Sequence, residues 1–348
     1  MTKEKKYLIV GSGLAGISVA YHLIEKGFNV TMINNQENHS SLVAAGQINP
    51  LVFRRMTKSW RVDEFLPYAK TFYKDLEQKT SEEFYIPKTI RRLFSSAHEK
   101  ELWLKKEDRI DFEPYMTKIN SEDESYNLVK NEFGSGRIKQ SSYVVAQKFL
   151  AGSLLWISKF GKISNETFDY DELNPSTGVY RGEEYDKIIF CEGYLNKNNP
   201  WFKHLPVETT KGEVLSFKSN HLPEEESLNR KCFILPIGKD VYRLGATYVW
   251  ETENLEKTEK GKEELLAKYA MLSNDPIEIL SHQVGIRPTS PDRRPIVGIH
   301  SEYEKLAIYN GLGSKGYMIS PLLSREFIAF LIDGKELDKE IRLERFQK

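Results

Sequence analysis

Cysteine is scarce in this chain. The 348 residues hold two, Cys191 and Cys232, far apart and in no Cys-x-x-Cys pattern. That excludes a disulfide framework and fits a reducing compartment. Neither sign of charge is in excess, with 50 basic and 50 acidic residues, so no global field draws the chain to nucleic acid or to an anionic membrane. No apolar run reaches the length of a membrane span; the most apolar stretch, 143–157, is interrupted by Gln147, Lys148 and Gly152. The histidines show no His-x-His or His-Glu-x-x-His spacing, so a metal site has no support. The polar segment 1–6 leads straight into an apolar strand and leaves no room for a signal peptide. The expectation is a soluble cytoplasmic protein with no membrane contact, long enough for two domains and a sizeable core. Oligomeric state is not legible.

Glycine, by contrast, stands in an informative place. A short apolar strand from Tyr7 to Val10 runs into Gly11-Ser12-Gly13-Leu14-Ala15-Gly16. A helix follows with Leu14, Ile17, Ala20, Leu23 and Ile24 on one face, Gly27 stops it, and a second apolar strand ends at Asn34-Asn35. In such a unit the first glycine makes the tight turn, the second lets backbone approach a pyrophosphate, and the third lets helix pack on strand. The phosphates sit on the helix N-terminus, where free N–H groups and the dipole favour negative charge. The spacing therefore predicts a dinucleotide site. The second strand ends in Asn34 and Asn35 where the pattern has an acid, and an amide oxygen can still accept from ribose hydroxyls. No Arg or Lys lies within 36–41 to hold a 2′-phosphate, which disfavours NADP and leaves FAD or NAD.

Further along, a helix is expected near 60–79, with Leu66, Ala69, Phe72, Tyr73 and Leu76 on one side. Residues 84–139 read as turn-rich with short strands, part of a different domain. A helix is expected near 142–152, a buried parallel strand over 187–193, antiparallel strands over 212–218 and 232–247, and a helix over 257–272. The chain closes with a strand at 306–309, a glycine-rich loop, and a helix capped by Ser320 with Pro321 at its first position and Gly334 past its end.

Four more segments carry chemistry: Ala44-Ala45-Gly46 leading to Pro50, Cys191-Glu192-Gly193, Gly285-Ile286-Arg287-Pro288, and Gly311-Leu312-Gly313-Ser314-Lys315-Gly316-Tyr317-Met318. With the first glycine loop and Gly245-Ala246-Thr247, they follow the order found in the D-amino-acid oxidase family of FAD flavoproteins. The chain resembles that family over essentially its whole length. The family includes glycine oxidase, sarcosine oxidase and the FAD-dependent part of a bacterial enzyme that processes carboxymethylaminomethyl-uridine in tRNA; the 311–316 run is most similar to the last.

The resemblance implies an α/β fold: a Rossmann-like FAD-binding domain (1–84, 142–210 and 286–348) with a mixed α+β substrate domain (85–141 and 211–285) inserted in it. It implies FAD, with the pyrophosphate on Gly11, Ser12, Gly13, Leu14, Ala15 and Gly16 and the ribose at Asn34 and Asn35. Ser41, Ala45, Gly46, Gln47 and the 311–318 segment would line the flavin ring, with Cys191 and Gly193 at the end of the middle strand. The sarcosine-oxidase branch binds flavin through a C-terminal cysteine, and none follows Cys232, so the resemblance implies noncovalent FAD. Arg287 would hold a substrate carboxylate, for which a planar fork suits better than lysine; the plainer alternative is an ion pair with Asp292 or Glu278. Lys315 would contact flavin, substrate or oxygen, or else be solvated at the rim.

The implied activity is oxidation of an amine or amino acid, with hydride passing from the carbon beside nitrogen to the flavin. Two alternatives stay open: demodification of a tRNA nucleoside, and a flavoprotein without turnover acting as a binding module. Phe233 stands where glycine-oxidase-like members have a tyrosine, and Tyr242, Tyr248 or Trp250 could replace it. Glu192 reads as a cap on the following turn. Arg54, Arg55, Lys58 and Arg61, with Trp60 among them, read as a solvated loop more readily than as an RNA surface.

Overall fold

The computed structural model describes residues 5–37, 39–119, 126–250, 252 and 254–346. Its first sheet has the spatial order Lys162–Ser164, Asn29–Ile33, Lys6–Val10, Lys187–Phe190, Leu306–Asn310 and Ile296–Ile299. All neighbours are parallel except the last pair, which is antiparallel. Leu8, Ile9, Ile188, Ile189, Ala307 and Ile308 are fully enclosed; continuous apolar runs of this kind belong to strands covered on both faces. Ile9, Ile189 and Ala307 pack with the helices Leu14–Glu25, Val62–Thr80, Ala146–Ile157 and Gly316–Asp333, while Leu8, Ile188 and Ile308 pack with Phe168, Tyr180 and Phe202. The chain leaves Lys6–Val10 toward one edge and later returns on its other side at Lys187–Phe190. The crevice at the carboxyl ends of these two strands is therefore a topological switch point, where open α/β sheets bind ligands.

The second sheet has eight strands drawn from Thr89–Leu93, Ser135–Ile138 and the region from Glu208–Lys218 to Glu278–Thr289. Its strands pair antiparallel except Glu226–Arg230, which lies parallel to Thr89–Leu93. The helix Glu259–Ala270 covers it, with Leu265 and Tyr269 packed against Phe217, Tyr242 and Leu244. The expected domain boundaries at 210/211 and 285/286 fall inside Glu208–Lys218 and Glu278–Thr289, which pair along their length.

The expected helices at 60–79 and 257–272 form as Val62–Thr80 and Glu259–Ala270. The 232–247 stretch is a hairpin, Cys232–Gly238 and Val241–Gly245, turned by Lys239 and Asp240 at φ of 56° and 58°. Successive left-handed residues of this kind match the strand twist.

Three expectations differ. The helix placed at 142–152 is Ala146–Ile157, because Ser142–Val144 is a strand paired with Gln47–Ile48 and Tyr85–Pro87; aromatic and β-branched residues favour that pleated setting. The helix Ala97–Glu107 inside the turn-rich region was not anticipated, although Ser96 accepts the Glu99 N–H at 3.3 Å and the Ser-x-x-Glu pattern announces such an N-terminus. The last helix begins at Gly316, so Ser320 and Pro321 lie inside it and Ser320 caps nothing. A proline at 321 withholds the N–H that Tyr317 C=O would receive; the buried Tyr73 hydroxyl donates to that oxygen at 2.7 Å. The helix therefore tolerates its proline and starts a full turn earlier, at the cavity.

Candidate functional site

A cavity of about 470 Å³ opens at the switch point and extends to the second sheet. Gly11 ends the first strand at φ 106°, a backbone that favours glycine, and a Cβ there would lie 2.5 Å from the Cys191 carbonyl oxygen. A Cβ on Gly16 would lie 1.9 Å from the Gly11 carbonyl oxygen, so helix and strand touch through bare backbone. Gly13, Leu14 and Ala15 border the cavity with Gly11, whereas Ser12 and Gly16 stand behind the wall. The helix Leu14–Glu25 has Gly13 as its N-cap, no side-chain cap and no acid in its first turn. Ser41 Oγ accepts the Leu14 N–H at 3.0 Å; the positive helix end otherwise addresses the cavity.

Asn34 and Asn35 divide their roles. The Asn34 amide is spent inside the protein: Oδ1 accepts from Ser12 Oγ at 2.6 Å and from the Gln36 N–H at 2.9 Å, while Nδ2 donates to Asn165 Oδ1 at 3.0 Å. Asn35 borders the cavity, and so does Glu37, which the sequence reading passed over. The signal was available, since Glu37 is the first acid after the strand, displaced a few residues beyond the usual position.

On the neighbouring strand end, Cys191 and Gly193 line the wall, and burial pushes the Cys191 thiol well above its ordinary pKa. Glu192 is not a turn cap, for its side chain makes no cap hydrogen bond. Its carboxyl instead accepts from the Tyr170 hydroxyl and from Asn199 Nδ2 at 2.8 Å. Burial raises its pKa to about 7, and these two donors oppose the rise. Between the ordinary carboxyl range and pH 7 the folded protein thus holds a proton that the unfolded chain releases. Stability from this group is greatest below about pH 4.5 and falls as pH rises toward 7. Melting curves from pH 5 to 8 should show the wild type losing on the order of 2–3 kcal/mol relative to Glu192→Gln. Parallel curves would remove the carboxyl from this role.

The segment from Ser41 to Gln47 crosses the cavity wall through Ser41, Ala45, Gly46 and Gln47. The last helix and the second sheet both hold it. Tyr317 donates its hydroxyl to Ser41 C=O at 2.8 Å, and Arg243 donates to the carbonyls of Ala44 and Val43 at 2.9 and 2.6 Å. Arg243 was not marked by the sequence because nothing local distinguishes it from other strand arginines. Leu312, Gly313, Ser314, Lys315, Gly316, Tyr317 and Met318 line the opposite wall, and Gly311 stands just behind them. The start of the last helix, Gly316, has no side-chain cap either, so two helix N-termini face one cavity.

Lys315 is neither solvated nor free. Its ammonium donates to the carbonyls of Asn49 and Leu51 at 2.8 and 3.2 Å and to Ser59 Oγ, tying the glycine loop to the 49–59 segment. Burial lowers its pKa to about 8.

Arg287 lies in the strand Glu278–Thr289 and reaches the cavity. Its Nη1 makes a long contact of 3.4 Å to Thr247 C=O, and its Cζ sits 5.4 Å from the Tyr248 ring. The ion-pair alternative does not form with Asp292, which is held by Arg345 at 2.8 Å; among the described residues no salt bridge reaches Arg287. Burial lowers its pKa, which expresses the cost of an enclosed, unneutralised guanidinium. Phe233 also lines the cavity. Tyr242 does not, its hydroxyl being donated to Leu222 C=O at 2.6 Å, and Trp250 packs on Tyr248 at the exposed edge of the sheet.

A family model described as DAO, FAD dependent oxidoreductase, matches residues 6–329. The chain belongs to this family. FAD is the cofactor of the family, and helix ends without an acid in their first turn, with bare glycine backbone at the switch point, suit its pyrophosphate. Among curated proteins it is 24% identical to an uncharacterized oxidoreductase, YurR, of Bacillus subtilis, with 97% of each chain covered. It is likewise 24% identical to the tRNA 5-methylaminomethyl-2-thiouridine biosynthesis bifunctional protein MnmC of Legionella pneumophila, over 95% of this chain. The chain spans about half the length of that relative, 54%. Among solved structures, glycine oxidase from Geobacillus kaustophilus superposes with a TM-score of 0.81 at 17% identity, covering 96% of both chains. Iminodiacetate oxidase from Chelativorans superposes at 0.78 with 19% identity and 98% coverage of both. These similarities define the fold. Among the described residues no helix is long and apolar enough to cross a membrane, and no cluster of metal-ligating residues occurs.

Proposed function

We propose that this FAD-dependent oxidoreductase oxidises the C–N bond of a small amine or amino acid bearing a carboxylate. The observation that carries the reading is Arg287, a partly buried guanidinium on the cavity wall without an acidic partner among the described residues. Leaving a desolvated cation unpaired is costly; a substrate carboxylate supplies the missing charge and fits the fork of the guanidinium. The solved neighbours named for glycine and iminodiacetate oxidation support this class of substrate.

FAD, when bound, supplies the acceptor for the electron pair that leaves the substrate carbon. The protein does the rest. Gly11, Gly13, Leu14 and Ala15 offer backbone to the pyrophosphate, with Ser12 and Gly16 shaping the turn, while Asn35 and Glu37 meet the ribose and Asn34 braces the strand end. Ser41, Ala45, Gly46, Gln47 and the 311–318 loop, Lys315 included, enclose the flavin ring, and Cys191 and Gly193 close its nucleotide side. Among the described wall residues the acids are Glu37 and Glu192, which follow the strand ends of the nucleotide-binding sheet; no histidine or aspartate lines the cavity. The substrate would therefore give up its ammonium proton to water before it binds as the neutral amine, and the iminium left once the hydride has gone would be hydrolysed in solvent. FAD is held without a covalent bond, so acid or heat should release it free; flavin retained on the precipitate would contradict this.

Anaerobic titration of the yellow protein with amino acids, N-alkyl amino acids and their decarboxylated analogues tests the reading. Bleaching by the carboxylates and not by the analogues is expected. A flavin that no amine reduces would instead favour a binding module without turnover.

A second reading, removal of a carboxymethyl group from a tRNA nucleoside, draws on the similarity to MnmC. The basic loop lends it little. Arg61 is engaged by Glu64 and Glu326, Lys58 by Asp63 at 2.6 Å, and Trp60 donates to Glu340. Only Arg54 and Arg55 of that group stand exposed. Measurable tRNA binding at moderate salt that Arg54→Ala and Arg55→Ala abolish would restore this reading.

A further inference from the structure

We infer that Gly212 is a positioning residue for Arg287, its missing side chain being the space in which the guanidinium lies. The inference rests on the reading of Arg287 as the carboxylate anchor. In the pairing of the two long strands Thr210 stands opposite Arg287, and Gly212 opposite Gly285. Residues two apart on a strand share a face, so Gly212, Val214, Gly285 and Arg287 form one continuous patch of wall. The arginine leans along this patch over the glycine. A Cβ built on Gly212 would lie 2.2 Å from Nη2, 2.5 Å from Cζ and 2.6 Å from Nη1 of Arg287.

Backbone conformation does not ask for glycine at 212, which lies within the regular strand Glu208–Lys218 and outside the left-handed region. A glycine inside a strand weakens it and commonly marks a close approach. Here the approaching group is the far end of Arg287, which has no acidic partner among the described residues. With the Thr247 carbonyl and the Tyr248 ring on its other contacts, the guanidinium is held in one place, and the residue at 212 decides whether it reaches that place. A methyl group at 212 meets the tip of a flexible side chain and not backbone, so the strand can keep its form while the guanidinium is displaced.

The experiment is a double-mutant cycle between Gly212→Ala and Arg287→Met, read as flavin reduction against concentration of the best carboxylate substrate, with flavin content and a melting curve on each sample. Gly212→Ala should raise the half-saturating concentration about tenfold or more, with flavin and melting temperature nearly unchanged. Adding it to Arg287→Met should change nothing further, because the displaced group is already gone. Unchanged affinity in Gly212→Ala beside a large loss in Arg287→Met overturns the inference and leaves the anchor intact. Fully additive losses overturn it too. An Arg287→Met protein of normal affinity would mean that the anchor reading itself has failed. Should Gly212→Ala not fold, the double variant decides: recovered folding and colour support the shared space, and persistent misfolding refutes it.

Discussion

Replacing Arg287 with methionine is expected to weaken binding of a carboxylate substrate by roughly 10²-fold or more while the protein stays folded and yellow. Hydrogen bonds to charged groups contribute ~1.5–3 kcal/mol each, and a fork to a carboxylate makes two of them. Both partners lie in a cavity from which the substrate displaces water, so screening does little to soften the loss. The stability side points the other way. No acidic group among the described residues neutralises Arg287, and its nearest polar contact is a 3.4 Å approach to one carbonyl. Removing a partly desolvated cation that has no acidic partner relieves a desolvation cost and leaves no carboxylate orphaned. The melting temperature of the substrate-free protein should therefore hold or rise. Arg287→Lys should rescue affinity only in part, since an ammonium cannot reproduce the fork. A structural arginine makes the opposite forecast: a lower melting temperature or lost flavin, with normal affinity in the protein that remains. Reduction kinetics and a melting curve on one preparation separate the two.

The glycine turn that borders the cavity was legible because its demands are local. Turn, phosphate approach and helix packing all fall within Gly11 to Gly16, and each asks for a residue type that sequence displays directly. Helices with an apolar stripe, such as Val62–Thr80 and Glu259–Ala270, were visible for the same reason. Position relative to distant chain was not. The start of the last helix depended on Tyr73, 244 residues away from the carbonyl it satisfies, and no local rule for Ser-Pro could report that hydroxyl. Asn34 looked like a ribose ligand by its place in the motif, yet Ser12, Gln36 and Asn165 use up its amide. Sequence leaves Lys315 to contact flavin, substrate or oxygen, or to be solvated at the rim; it lines the cavity, and its ammonium ties down the 49–59 segment, which no local pattern reports. Arg243 and Gly212 act through partners on other strands and carried no signal of their own. Sequence thus marks many residues that line the cavity, though Ser12, Gly16, Asn34 and Gly311 do not line it, and only the fold shows which side chains are already spent on other partners.

Loss of flavin is the expected result of Gly13→Val, and the contrast with Gly16→Val makes it diagnostic. Gly13 borders the cavity as the N-cap of the first helix, at φ −75° and ψ −170°. That is extended backbone open to any residue, so the variant should fold with a normal far-ultraviolet spectrum. A branched side chain there intrudes where the pyrophosphate must approach the helix end, and the amides of the first turn lose their anion. Weakening by two orders of magnitude or more is expected, roughly the worth of two charge-assisted hydrogen bonds. Gly16 differs in kind. Its Cβ would meet the Gly11 carbonyl oxygen at 1.9 Å, which is backbone that cannot swing aside, so Gly16→Val should cost folding itself and lose colour only as a consequence. Dialysed samples of both variants, compared by absorbance in the flavin band and by circular dichroism, distinguish a folded colourless protein from an unfolded one. A Gly13→Val protein that keeps its full yellow colour through dialysis would place the pyrophosphate elsewhere, and with it the whole arrangement of cofactor and substrate in the cavity.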